Sequence, residues 1–197
     1  YGDHRDLHYP LRRQRQMCIR DSCRTMNSEK IPIDKLNLMQ EDDWISLLGR
    51  LYEHSPWVAE EAVKGRPFSD KKALQACFES IIYGAEDEPQ SQLITAHPDL
   101  AAKMDELAKL TDFSQSEQSR AGFSALPQEV FNSLRERLSD YREQFGHPFI
   151  LCVTDHSASE TLPILLQRLQ ATPKSERLAC LAQIARIGWH RLDILVS

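Results

Sequence analysis

The stretch PQEVFNSLRERLSDYREQFG, residues 127–146, decides the fold class. Val130, Phe131, Leu134, Leu138 and Tyr141 recur at helical spacing, which gathers them on one apolar stripe. Phe145-Gly146 then ends the pattern at a glycine stop. The same stripe is found upstream, in Trp44, Leu47, Leu48 and Leu51, and again in Leu74, Cys77, Phe78, Ile81 and Ile82. Downstream, Thr172 is a natural N-cap with Pro173 at the first helical position. The long segment from there to Leu195 is expected to bury Leu178, Leu181, Ile184, Ala185, Ile187, Gly188 and Leu192. None of the seven glycines follows Asn or Asp, so the usual hairpin turn is absent. The spacing predicts an all-α, single-domain helical bundle. Phe149 to Val153 is the exception, a short apolar run that reads as an extended buried segment or a helix start.

The chain has 197 residues, 41% hydrophobic and 27% charged, enough apolar material for one core without disulfide or metal staples. Its unbroken apolar runs, that segment among them, do not exceed five residues, far short of the ~20 residues that cross a bilayer, and the mean hydropathy is −0.48. A net charge of −5 offers no general field for phosphate backbones, which argues against nucleic acid as a partner. Five scattered cysteines, Cys18, Cys23, Cys77, Cys152 and Cys180, read as free thiols of a reducing, cytoplasmic compartment.

Residues 1–24 differ from the rest, with six Arg and three Asp for a net +3, which leaves −8 on the remaining chain. They show no sustained apolar pattern, so residues 1–25 are expected to be a disordered extension and residues 26–197, from Met26, the folded domain. Arg12 to Ser22 reads more as cloning or sequencing adaptor than as evolved protein. His4, His8, Cys18 and Cys23 match a zinc pattern poorly, and no metal site is expected.

No Gly-rich phosphate loop, G-x-S-x-G elbow, H-E-x-x-H or C-x-x-C occurs, so any chemistry is expected to be cofactor-free. Three polar constellations remain: His97-Pro98-Asp99-Leu100, Ser114-Gln115-Ser116-Glu117-Gln118, and Trp189-His190-Arg191. Proline pushes His97 out of the helical region, so one helix is expected to stop near Ala96 and another to start at Pro98. His97 there is either a capping histidine or an imidazole placed to exchange protons near neutral pH. Ser114 and Glu117 have the spacing of a capping box, and a helix start is also a place to hold an anion. Arg191 is either a solvated residue or a bidentate clamp on a carboxylate.

Three motifs, His97-Pro98-Asp99-Leu100-Ala101, Leu110-Thr111-x-x-Ser114-x-x-Glu117-Gln118-Ser119-x-Ala121-Gly122 and Tyr141-x-x-x-Phe145-Gly146-His147-Pro148-Phe149-Ile150, follow one another. With Arg177-x3-Leu181-x2-Ile184-x6-Arg191-Leu192, they closely resemble the 2-oxo-4-hydroxy-4-carboxy-5-ureidoimidazoline (OHCU) decarboxylases, from roughly Ile33 to Val196. The resemblance implies a homodimeric, cofactor-independent enzyme of purine catabolism. Its substrate would be the product of 5-hydroxyisourate hydrolysis, making that hydrolase a pathway neighbour, and its products CO2 and (S)-allantoin. Catalytic roles then fall on His97, Glu117 and Arg191. Substrate contacts fall on Pro98, on Ser114, Gln115, Ser116 and Gln118, and on Phe149, Ile150, Leu151, Cys152 and Val153.

The substrate's carboxylate sits on a ring carbon that bears a hydroxyl and adjoins a C=N, so the electrons left by departing CO2 can flow to the ring nitrogen without a metal or pyridoxal sink. Cys152, His147 and His190 are expected to serve packing rather than catalysis. Two rival functions remain: a non-enzymatic binding module on the same scaffold, and a lyase or hydrolase acting on another ureido acid.

Overall fold

The computed structural model describes residues 30–102, 122–123 and 126–197. The N-terminal extension, with His4, His8, Cys18 and Cys23, lies outside them, as do Ser114, Gln115, Ser116, Glu117 and Gln118. Among the described residues the helices are α1 (Ile33–Asn37), α2 (Glu41–Leu48), α3 (Trp57–Ala62), α4 (Lys71–Gly84), α5 (Asp87–Thr95), α6 (Gln128–Phe145), α7 (Ala158–Arg168) and α8 (Pro173–Leu195), with a 3-10 turn at Val63–Gly65. The all-helical expectation holds. The one extended pairing among them is an isolated parallel bridge between Ile31 and Val196, which ties the start of the described chain to its end.

Local chemistry accounts for the helix ends. The Asp70 carboxylate accepts from Ala73 N–H at 2.7 Å and opens α4. Thr172 does the same for Ser175 N–H at the start of α8, with Pro173 behind it. Gly146 closes α6 with φ of +75°, a left-handed conformation that costs a residue with a Cβ about 1–2 kcal/mol.

Two apolar clusters form. The larger joins α1 to α5 with α8, through Trp44, Leu48, Phe78, Ile82, Leu93, Leu181 and Ile184. The smaller joins α6 and α7 through Phe131, Leu134, Leu138, Tyr141 and Leu165. The chain between Gly146 and α7 is neither helix nor strand, and the expected extended buried segment holds over residues 149–152, whereas Val153, 50% exposed, opens a turn over residues 153–155. Along it, side chains alternate between faces as extended backbone dictates: Phe149 and Leu151 enter the smaller cluster, Ile150 the larger. This segment is the seam between the two clusters.

Two expectations change. Leu178 is 52% exposed rather than buried, because the buried side of α8 at that level is taken by Glu176 and Cys180. Leu51 is buried but lies past the end of α2, in the loop toward α3.

Candidate active site

The end of α5 sets the position of His97. The last carbonyls of a helix have no partner within it, and the His97 ring meets one of them, with Nδ1–H donating to the Leu93 carbonyl at 2.8 Å. A carbonyl only accepts, so the proton sits on Nδ1 and the lone pair on Nε2. Nε2 is buried and has no hydrogen-bond partner among the described residues. Burial pulls the His97 pKa below its ordinary 6.5, against the Leu93 bond and the Glu53 charge and with help from Arg191. One ring nitrogen therefore caps the helix while the other is a neutral base.

Pro98 leads away from α5, and helix resumes at Leu100, two residues later than expected. The reason is Asp99, whose Oδ1 accepts from Ala101 N–H at 2.9 Å and so caps the new turn. Its Oδ2 pairs with Arg142 of α6, which pins the His-Pro-Asp turn to the second cluster.

Arg191 comes from the last turns of α8. Its guanidinium donates to the Leu51 carbonyl at 2.7 Å and to Glu53 Oε1 at 2.5 Å. One turn earlier, a Cβ on Gly188 would lie 2.5 Å from the Tyr52 ring. The absent side chain thus admits Tyr52 against α8, and Tyr52 carries Leu51 and Glu53 to Arg191. Glu53 gives no sequence signal, since it sits in a polar loop with no spacing to mark it.

The third wall is the seam. Arg168 Nη1 donates to the Ile150 carbonyl at 2.5 Å, and Cys152 N–H donates to Gln183 Oε1 at 2.8 Å. Arg168 lies over the Phe149 ring, 4.6 Å from its centroid, and forms a buried ion pair with Glu176, which also accepts from the Tyr141 hydroxyl. This network holds the seam extended. His147 packs against the Tyr141 and Phe145 rings and points Nδ1–H at the Pro148 carbonyl, 3.0 Å away.

His97, Pro98, Arg191 and the whole of Phe149, Ile150, Leu151, Cys152 and Val153 line one cavity of about 370 Å³. The size suits a small polar ring. Beside His190, which also lines the cavity, Asp155 accepts from Arg186 Nε at 2.5 Å and from His190 Nε2 at 2.7 Å, and these partners, Arg186 foremost, hold its carboxyl down to about 2. Fold thus gathers residues 97, 98, 149–153 and 191, which are separated by up to 94 positions in the chain.

A family model described as OHCU decarboxylase matches residues 37–193. A protein of Haloferax volcanii named 2-oxo-4-hydroxy-4-carboxy-5-ureidoimidazoline decarboxylase is 31% identical over 163 residues, which covers 83% of this chain and 95% of its own. A Bacillus sp. protein named uric acid degradation bifunctional protein is 35% identical over 161 residues, 82% of this chain and 31% of its own length. A crystal structure of (S)-allantoin synthase superposes with a TM-score of 0.65 at 28% identity, over 84% of this chain and 54% of that one.

Proposed function

The chain belongs to the OHCU decarboxylase family, and on that premise we propose that it decarboxylates OHCU to (S)-allantoin and CO2 in urate breakdown, without a cofactor. The observation that carries the reading is the His97 ring, tied through Nδ1 to Leu93 and left with an unpartnered, buried Nε2 in the cavity that Arg191 also lines. Arg191, held by Leu51 and Glu53 with further N–H groups to spare, is the clamp for the substrate carboxylate. Loss of CO2 leaves an electron pair that passes into the adjoining C=N. His97 Nε2 moves the protons of that step and of the tautomerisation that follows.

Proton delivery from one face of the ring gives the (S) product. Glu117 is assigned the orientation of His97, and Ser114 to Gln118 substrate contacts, from their place in the family motif. In the seam, Leu151 and Val153 keep backbone groups for a urea-like ring, since the Ile150 carbonyl and Cys152 N–H are engaged within the protein. The name of the Bacillus relative supports a place in uric acid degradation, and the family resemblance assigns the preceding step to a 5-hydroxyisourate hydrolase. A homodimer in the cytoplasm completes the reading, consistent with Cys77, Cys152 and Cys180 being free thiols.

The test is circular dichroism on freshly generated 5-hydroxyisourate with its hydrolase present. The protein gives a rapid (S)-allantoin signal, and His97→Asn lowers kcat by about 10²- to 10⁴-fold. Near-wild-type turnover in the variant removes His97 from the chemistry. A slow racemic background with both proteins turns the reading to a binding module or another ureido acid.

A further inference from the structure

Cys152 and His190 line the cavity and Asp155 adjoins them, and the side chains of these three are given no part in the decarboxylation. Cys152 Sγ, a carboxylate oxygen of Asp155 and a ring nitrogen of His190 all lie within 4.8 Å of one another. We propose that Cys152, Asp155 and His190 form a binding site for a thiophilic divalent cation of the Zn²⁺ class, with a fourth position open toward the cavity.

The donor set selects the ion. One sulfur, one imidazole nitrogen and one carboxylate oxygen suit Zn²⁺ or Co²⁺ and not the oxygen-seeking Mg²⁺ or Ca²⁺. Tetrahedral Zn²⁺, with bonds of about 2.0–2.3 Å, wants its donors roughly 3.3–3.6 Å apart, which these groups reach by small side-chain rotations. Oδ1 of Asp155 and Nε2 of His190 are already at 2.7 Å, so the ion enters where their shared proton now lies. On binding, the Cys152 thiol releases its proton to solvent and the remaining imidazole proton resides on Nδ1 of His190.

The surroundings are those of an organised site. Cys152 is fixed by its N–H bond to Gln183 and by the bond from Asp155 N–H to the Cys152 carbonyl, 3.0 Å. Arg186 donates to Asp155 twice, Nε to Oδ2 at 2.5 Å and Nη2 to Oδ1 at 3.3 Å, which orients the carboxylate, and the ion takes the place on Oδ1 that His190 Nε2 now holds. The Arg186 charge weakens the affinity, so the site binds reversibly. Arg186 and His190 are one helical turn apart on α8, and Cys152 and Asp155 are the two ends of one turn after the seam, so two rigid pieces of backbone present the ligands.

The experiment uses the full chain, reduced and metal-free, titrated with Co²⁺ under argon. One equivalent brings up a thiolate-to-cobalt charge-transfer band and tetrahedral visible bands, and Zn²⁺ displaces them. Cys152→Ser abolishes the charge-transfer band, and Asp155→Asn and His190→Gln each weaken binding at least tenfold. Replacing both Cys18 and Cys23 with Ser leaves the spectrum unchanged. No band in the wild type, or a band that survives Cys152→Ser and disappears with Cys18 and Cys23, overturns the assignment. Because Cys152 and His190 line the cavity, bound Zn²⁺ also slows turnover. That last effect rests on the decarboxylase reading, whereas the cobalt spectrum does not, so the two fail separately.

Discussion

A histidine is a useful base at neutral pH only if its proton and its lone pair are on known atoms. In His97 this is settled by one bond, since Leu93 takes the Nδ1 proton and leaves Nε2 free. Burial lowers the pKa, so the neutral form persists to a more acidic pH than in a free histidine. The acid limb of kcat/KM is therefore expected to have its midpoint below 6.5, the activity being present above it and lost as pH falls through the folded value. A pH-rate profile with its acid midpoint above 6.5 contradicts this assignment. The same shift acts on stability with matching sign: as pH drops below 6.5 the unfolded chain takes up the proton first, and the folded state loses ground.

At the scale of elements, α8 is the common frame. It carries Arg191 and His190 to the cavity, braces the larger cluster through Leu181 and Ile184, and starts with Glu176 under α7. Gly188 is its narrow point. Alanine there gains about 1 kcal/mol of helix propensity, but its Cβ meets Tyr52 ring atoms at 2.5–2.6 Å, and overpacking of that kind costs about 1–3 kcal/mol. Gly188→Ala is thus expected to destabilise on balance. It should also raise KM more than it lowers kcat, because displacing Tyr52 moves Leu51 and Glu53 away from Arg191. Thermal melts and steady-state kinetics check both, and an unchanged KM breaks the link from Tyr52 to the clamp.

At the scale of the whole molecule, the described residues form two apolar clusters with the extended segment between them, and a buried ion pair straddles that join. Arg168 and Glu176 are both buried, and Arg168 also holds the Ile150 carbonyl. Glu176→Gln leaves the Arg168 charge without its counter-charge, at a cost of about 3–5 kcal/mol, against a total stability of only about 5–15 kcal/mol. Urea unfolding is expected to show a midpoint lowered accordingly, with the slope unchanged. A midpoint within a few tenths of a molar of wild type places the stability elsewhere.

Residues 127–146 and 172–195 carried the helical fold in their own periodicity and caps, because a helix is made of contacts three and four residues apart and those are written locally. The motifs around His97, Glu117, Phe149 and Arg191 were legible for a similar reason, as short runs with their own order. Tertiary structure decided the rest. Glu176, in the first turn of α8, is buried because Arg168 is brought beside it, and Leu178, expected in the core, is displaced because Glu176 and Cys180 occupy that face. Glu53 becomes part of the site only because Gly188 admits Tyr52. His190 joins Cys152 and Asp155 only when the seam meets α8. Each depends on groups far apart in the chain, whose mutual burial and charge no local spacing encodes.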